Sequence, residues 1–283
     1  MAPECRVLLC GGLGNQLFQY AFGRALAERY QATLRIDIGS GFARDFVYCR
    51  KYELDVFELW DGLELIQPTK LEMQVQRVKL AFAQRKWAFT DNYLIEPSGG
   101  VYCHLATGLK AGRSYTCLGY WQNQRYFSEI EALLRQELRF TRKLSAKNQL
   151  MGNRMQAQES VAVHVRRVQY DCAIDPEYYD RAITAMIERV PDATFYCFSD
   201  DLDWCRAHLL PKYPMVLVDN RNLHAIEDFQ MMTHCRHYII ANSSFSWWAA
   251  WLGGSEGVVL TPQADMSHRQ PAEGDRPSHW RCL

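Results

Sequence analysis

The sequence predicts an α/β protein built from two Rossmann-like lobes, on three observations. The chain opens with a strand, a glycine turn, a helix and a second strand. Its C-terminal half alternates strand and helix, and the polar clusters of that half fall immediately after strands. At 283 residues and 48% hydrophobic composition, the chain can form two such lobes without the staples that small domains need. We expect the first over residues 1–150 and the second over 151–283.

In the first lobe, Val7-Leu8-Leu9-Cys10 reads as a buried strand and Gly11-Gly12-Leu13-Gly14-Asn15 as a loop. Gln16 to Tyr30 reads as a helix with Phe18, Phe22 and Ala25 on one face, and Ala32 to Asp37 returns as a strand. Such a βαβ unit is normally parallel and right-handed. From Gly39 to Ser160 the pattern is poorer. It offers a Lys/Arg-rich helical stretch from Lys70 to Trp87, a turn at Pro97-Ser98-Gly99-Gly100, and a helix starting near Ser128 with Ile130, Leu133, Leu134 and Leu138 apolar. The polar run Thr141 to Ser160 reads as the connection between lobes.

In the second lobe, strands are expected at Val161–Val165, Thr194–Phe198, Met215–Val218, Tyr238–Ile240 and Val258–Leu260. Helices are expected at Pro176–Val190, Leu202–Leu210, Ala225–Cys235 and Ser246–Leu252. Arg166-Arg167 follow the first of these strands, Ser199-Asp200-Asp201 the second and Asn242-Ser243-Ser244 the fourth. Open parallel sheets bind ligands at that carboxyl edge.

Composition narrows the partners. The formal net charge is zero, so no global field recommends nucleic acid or an anionic membrane. The residues before the first strand are too few for a signal segment or a membrane span, which reads as a cytoplasmic protein. The ten cysteines show no CxxC spacing and read as small buried apolar residues. The stretch from Lys70, with Leu71, Val75, Val78 and Phe82 on one side, suits either a solvated helix face or a weak peripheral contact with a membrane or an acidic acceptor.

Several clusters carry chemistry. Alternation along the strand sends His164 and Arg166 to one side and Arg167 to the other. A guanidinium binds phosphate oxygens bidentately and keeps its charge, which suits a departing diphosphate. The bland alternative is a surface pair bridged to acids. His164 is either a satisfied core histidine or a ligand contact beside Arg166. Gly12, Gly14 and Asn15 offer free backbone N–H groups at a helix N-terminus, or simply a tight turn. Read as GxGxxG from Gly12, the third glycine is Leu17, although Asp37 stands where a ribose-binding acid would be expected. Asp201-Leu202-Asp203 is a short DxD string of the kind that can hold a divalent metal. Asp201 could equally read a guanine base, and Asp200 or Asp201 could simply cap the following helix. Asn242, Ser243, Ser244, Phe245 and Ser246 place amide and hydroxyl donors at another helix N-terminus, whereas Trp247, Trp248 and Trp251 read as core.

Four blocks together resemble the α1,2-fucosyltransferases: Gly11 to Tyr20 (GGLGNQLFQY), His164-Val165-Arg166-Arg167, Phe198-Ser199-Asp200-Asp201 with Trp204, and Asn242 to Trp248 (NSSFSWW). They follow that family's order and span nearly the whole chain. The resemblance implies a GT-B arrangement of two facing Rossmann-like lobes, with the acceptor on the N-terminal side and GDP-fucose held mainly by the C-terminal lobe. It implies inverting transfer of L-fucose to the 2-hydroxyl of a terminal galactose in a glycan, with no metal and no other cofactor. Arg166 would then hold the β-phosphate, His164 and Asp201 the guanosine end, and Ser243 to Ser246 the phosphates, while Asn15 approaches from the other lobe. Where the family has Gly-Asp-Tyr after HxRR, this chain has Val168-Gln169-Tyr170, with Asp171 one place later. Asp171, Asp175 and Glu177 are the candidate general bases. A nicotinamide-dependent oxidoreductase, a non-catalytic GDP-sugar-binding protein and a transferase using another GDP-sugar are the competing readings.

Overall fold

Two parallel sheets organise the chain in the computed structural model, one in each of two units, Met1–Thr141 and Arg142–Leu283. The structure describes residues 2–43, 45–84, 92–96, 102, 110, 112–168, 174–220, 225–254, 256–263 and 275–283.

The first unit contains β1 (Glu4–Leu8), α1 (Leu13–Tyr30), β2 (Thr33–Asp37), β3 (Glu64–Ile66), α2 (Lys70–Gln84), β4 (Tyr93–Ile95), β5 (Tyr115–Leu118) and α3 (Glu131–Glu137). Its sheet order is β3-β2-β1-β5-β4, all parallel. The expected βαβ unit is present, with β1 three residues earlier and α1 three residues longer at its start than expected. Helix α1 is buried on nearly every side, as a helix this apolar must be, and it ends where Gln31 turns left-handed at φ 50°. Two glutamines inside it act as fasteners. The Gln16 amide donates to the carbonyls of Gly11 (2.9 Å) and Lys51 (2.8 Å) and accepts from Glu53 N–H (2.9 Å). Gln19 accepts from Cys10 N–H (3.0 Å) and donates to the Gly119 carbonyl (2.9 Å). A buried amide must find such partners, so each glutamine ties a loop to the helix.

The second unit contains α4 (Ala146–Gln156), β6 (Ser160–Val165), α5 (Pro176–Arg189), β7 (Thr194–Ser199), α6 (Leu202–His208), β8 (Met215–Leu217), α7 (Ala225–Met232), β9 (His237–Ile239), α8 (Ser244–Gly253), β10 (Val259–Thr261) and β11 (Arg281–Cys282). The strand order is β11-β10-β9-β6-β7-β8, which is the doubly wound dinucleotide-fold order 3-2-1-4-5-6. Every residue of β6 is buried, as expected for a central parallel strand. Val161, Val163 and Val165 pack on Tyr178, Tyr179, Ala182, Ile183 and Met186 of α5, while His164 turns to the other face.

The run after Thr141, expected as a connection, contains α4, which buries only Asn148, Gly152 and Met155. Cys5, Cys117, Cys197, Cys205 and Cys235 are buried as expected, whereas Cys49 and Cys282 are exposed. Among the described residues, no helix is long and apolar enough to cross a membrane.

Candidate functional site

The strand order of the second unit reverses between β6 and β9, and the carboxyl ends of these strands open onto the crevice where such sheets bind ligands. His164 stands at that end of β6. It is only 6% exposed, its ring lies 5.6 Å from the Phe245 ring, and its Nδ1 has no hydrogen-bond partner among the described residues. Burial, reinforced by the nearby Arg166 cation, pushes its pKa down to about 3, so the imidazole is neutral at any working pH. A buried ring nitrogen left without a partner is uncommon in a folded protein and suits a group awaiting a ligand.

Asp200, after β7, organises the segment that follows β6. Its Oδ2 lies 2.7 Å from Arg166 Nη1 and accepts from Val168 N–H at 3.1 Å, and its Oδ1 accepts from Arg167 N–H at 2.8 Å. One carboxylate thus collects two backbone donors and one guanidinium, so Arg166 is an oriented cation rather than a loose surface charge. Arg167 goes the other way, its guanidinium 4.2 Å above the Trp204 ring, which in turn packs on Tyr179. The opposition expected from strand alternation is what the side chains do.

Asp201 is the N-cap of α6, accepting from Trp204 N–H at 3.0 Å, while its own N–H donates to Ser199 Oγ at 2.9 Å. Asp203, its partner in the DxD string, is exposed and pairs with Arg206 at 2.6 Å. Among the described residues, no group of three or more His, Cys, Asp or Glu side chains is placed to hold a metal.

Asn242 and Ser243 lead into α8 at the carboxyl end of β9. Asn242 is buried, Ser243, Ser244 and Phe245 are partly exposed, and Ser243 is the N-cap without a side-chain capping bond. Ser246 is fully buried and its hydroxyl turns back to the Ala241 and Ser243 carbonyls at 3.5 and 3.3 Å. Of the serines in this block, Ser243 and Ser244 are therefore the ones with surface to offer a ligand. Trp247, Trp248 and Trp251 are core residues, as expected.

Three supporting residues escaped the sequence reading. Tyr178 hydroxyl donates to the Ile240 carbonyl (2.8 Å) and the Leu260 carbonyl (3.2 Å), and Tyr179 hydroxyl to the His164 carbonyl (3.2 Å). Two neighbouring tyrosines of α5 thereby fix the ends of β6, β9 and β10. Arg276 pairs with Asp275 at 2.9 Å and donates to Thr261 Oγ1, which puts a second cation at the end of β10. The paired tyrosines in Pro176-Glu177-Tyr178-Tyr179 were the available signal; nothing in the sequence tied Arg276 to the sheet edge.

The remaining expected site residues belong to other places. Asp171 and Gln169 lie outside the described residues. Asp175 is the N-cap of α5, and Glu177 sits in its first turn; both are exposed. Gly12, Gly14 and Asn15 are in the first unit, at the start of α1. Gly12 is the N-cap, and a Cβ there would lie 3.5 Å from Arg50 Nη1. Gly14 is buried in the helix, and Asn15 Oδ1 accepts from Gln122 at 2.8 Å. Asp37, the acid that a dinucleotide site would use on a ribose, is fully buried. It accepts from Arg6 (2.5 Å), Gly39 N–H (3.0 Å), Ser40 N–H (2.8 Å) and Ser40 Oγ (2.8 Å). Its lone pairs are occupied by its own loop, which removes the main support for the oxidoreductase reading.

The family model for glycosyl transferase family 11 matches residues 69–280 of this sequence. The chain belongs to glycosyl transferase family 11. The matched span includes the family 11 blocks at His164 to Arg167, Phe198 to Asp201 and Asn242 to Trp248, so the resemblance read from these motifs holds at the level of the family. Among similar proteins, an alpha-1,2-colitosyltransferase of Escherichia coli is 29% identical over 90% of this chain and 89% of its own length. The O-antigen biosynthesis glycosyltransferase WbnK of Escherichia coli is 27% identical over 90% and 92%. A galactoside alpha-(1,2)-fucosyltransferase 2 of Bos taurus is 27% identical over 50% of this chain and 46% of its own. Two solved structures share the fold. Arabidopsis thaliana FUT1, a point mutant in complex with GDP, has a TM-score of 0.58 at 12% identity, covering 99% of this chain and 76% of that one. The fucosyltransferase NodZ from Bradyrhizobium has a TM-score of 0.53 at 14% identity, covering 88% and 93%. The expected GT-B fold class, with a Rossmann-like sheet in each unit, is the one these neighbours have.

Proposed function

We propose that this family 11 glycosyltransferase moves L-fucose from GDP-β-L-fucose to the 2-hydroxyl of a terminal galactose on a glycan, with inversion and without a metal. The observation that carries the reading is Arg166, an oriented cation at the end of the central strand, where the sheet order reverses. Residues 142–283 are the donor unit in this reading, and the first unit is assigned to the acceptor. Arg166 takes the β-phosphate, neutral His164 and Asp201 the guanosine end, and Asn242, Ser243, Ser244 and Phe245 the remaining donor surface at the start of α8.

The C1–O bond to the β-phosphate breaks as the bond from the galactose oxygen to C1 forms on the opposite face. The electron pair leaves with GDP, where Arg166 and the N-terminus of α8 oppose the growing charge. The galactose hydroxyl proton passes to a carboxylate, with Glu177 and Asp171 the candidates. Supporting the donor assignment are membership of family 11 and relatives whose names specify α1,2 transfer of related sugars. The name of the colitosyltransferase relative also favours a second reading, in which the same donor contacts hold GDP-colitose, because phosphate contacts do not read the sugar.

The test is GDP release from GDP-fucose and from GDP-colitose, with and without lactose, followed by NMR assignment of the product linkage. Acceptor-dependent release and an α1,2 product are expected with GDP-fucose. Release only with GDP-colitose would establish the second reading. GDP-sugar binding without turnover across several galactosides would replace both with a binding protein.

A further inference from the structure

Helix α2 (Lys70–Gln84) carries an apolar stripe on its outer face. Leu71, Val75 and Val78 recur at helical spacing and are 69%, 45% and 51% exposed; Phe82, next along the same stripe, is half-buried. The face turned toward the protein carries the half-buried Met73 and Leu80, the small Ala83, and Gln76, 7% exposed, whose amide reaches the Tyr93 hydroxyl at 3.5 Å. A surface helix of a globular protein normally keeps its outer face polar, whereas α2 is apolar on both faces. The sequence left this side open between a solvated helix face and a contact with a membrane or an acidic acceptor; in the structure Leu71, Val75 and Val78 are solvent-exposed.

Charge frames the stripe. Lys79 borders one side, Lys70 and Arg77 the other, and all three are exposed. The single acid of the helix, Glu72, is engaged at the helix start, accepting from Thr69 N–H at 2.7 Å and Thr69 Oγ1 at 2.8 Å in a capping box. The local surface is therefore an aliphatic ridge between cations, although the whole chain has no net charge.

We propose that α2 docks the protein on an anionic lipid bilayer, with Leu71, Val75 and Val78 entering the acyl boundary and Lys70, Arg77 and Lys79 at the headgroups. Three arguments select this occupant. The cations favour an anionic partner, and a bilayer supplies one along the whole helix. Exposed aliphatic side chains suit acyl chains, whereas partner proteins are usually anchored by Trp, Tyr and Arg. A second copy of this chain packed by two-fold symmetry would bring the same cations face to face.

The experiment is co-sedimentation of the full chain with vesicles of phosphatidylcholine alone or with about 30% phosphatidylglycerol. Binding to the anionic vesicles, weakened by salt, is expected. The triple substitution Leu71→Ser, Val75→Ser and Val78→Ser should lower the partition coefficient by at least about tenfold. Thermal stability and quaternary state should be unchanged, since these side chains are already in water. Arg77→Glu with Lys79→Glu, which leaves the ridge intact, should abolish the preference for anionic over neutral vesicles, and it carries the test if the triple variant misfolds. Absence of wild-type binding, equal binding by the variants, or an oligomer of the wild type that the triple variant dissociates would each overturn the proposal.

Discussion

Asp200 Oδ2 lies 2.7 Å from Arg166 Nη1 while the same carboxylate accepts from the N–H groups of residues 167 and 168. The cation and the backbone that carries it are thus set by one side chain just after the neighbouring strand. Removing Arg166 removes the group assigned to the leaving diphosphate. Arg166→Ala should lower kcat/KM by about 10² to 10³, the range for losing one preorganised charge donor, and Arg166→Lys should recover little of it because a lysine has no fork. Asp200→Asn turns one of the two accepting oxygens into an NH2 that faces donors, and should cost about tenfold in kcat/KM and about 1 kcal/mol of stability. Steady-state kinetics at saturating and limiting donor decide this; near-normal turnover in Arg166→Ala would sink the assignment.

Arg167 tests the opposite behaviour. Its guanidinium sits 4.2 Å above the Trp204 ring. Arg167→Ala should destabilise the protein by about 0.5 to 2 kcal/mol through the lost cation–π contact and packing. Its kcat/KM, measured well below the melting temperature, should stay within a few-fold of wild type. A large kinetic loss with an unchanged urea midpoint would place Arg167 in contact with substrate instead.

His164 makes stability depend on pH in a defined window. The unfolded chain takes up a proton on this ring below its usual 6.5, whereas the folded protein refuses it down to about 3. The unfolded state therefore binds more protons in that interval, and stability falls as the pH is lowered from 6.5 toward 3, by about 1.4 kcal/mol per pH unit from this group. Urea unfolding of wild type and His164→Asn at about pH 7 and about pH 5.5 should show a steeper loss in the wild type. Parallel losses in the two proteins would contradict the assignment.

Gln16 is a structural test in the first unit. Its side chain satisfies the carbonyls of Gly11 and Lys51 and the N–H of Glu53. Gln16→Leu keeps the volume and strands those groups, so a loss of at least about 2 kcal/mol is expected, since each buried unpaired group costs about 1 to 3. Chemical denaturation measures it directly.

Much of the second unit was legible because β6, β9 and β10 are buried throughout and read as apolar runs such as Val161 to Val165, and because α5 after β6 carries a clear stripe. The placement of His164, Arg166 and Arg167 followed from alternation alone. Strands β3, β4 and β5 have only three or four residues and are mostly not buried, so they lack the apolar run that marks the equally short β9 and β10. Helix α4 escaped because it buries Asn148, Gly152 and Met155 rather than an apolar stripe. Asp200 was read only as one acid of a pair; that it would collect the donors of three successive residues is a tertiary fact with no local signature. Gln16 and Gln19 of α1 are fully buried, and the loops they fasten lie too far along the chain for a local pattern to reveal.

The central position of β6 has a consequence for how the protein is made. Its two neighbours in the sheet are β7 (Thr194–Ser199) on one side and β9 (His237–Ile239) on the other. As the chain emerges from the ribosome, β6 and β7 can pair early, but the opposite edge of β6 stays bare until residues 237–239 have been synthesised. For that interval the nascent chain exposes an unpaired hydrophobic strand edge, the kind of surface that chaperones shield and that aggregates recruit. The crevice between β6 and β9 comes into existence only once residues 237–239 have been made.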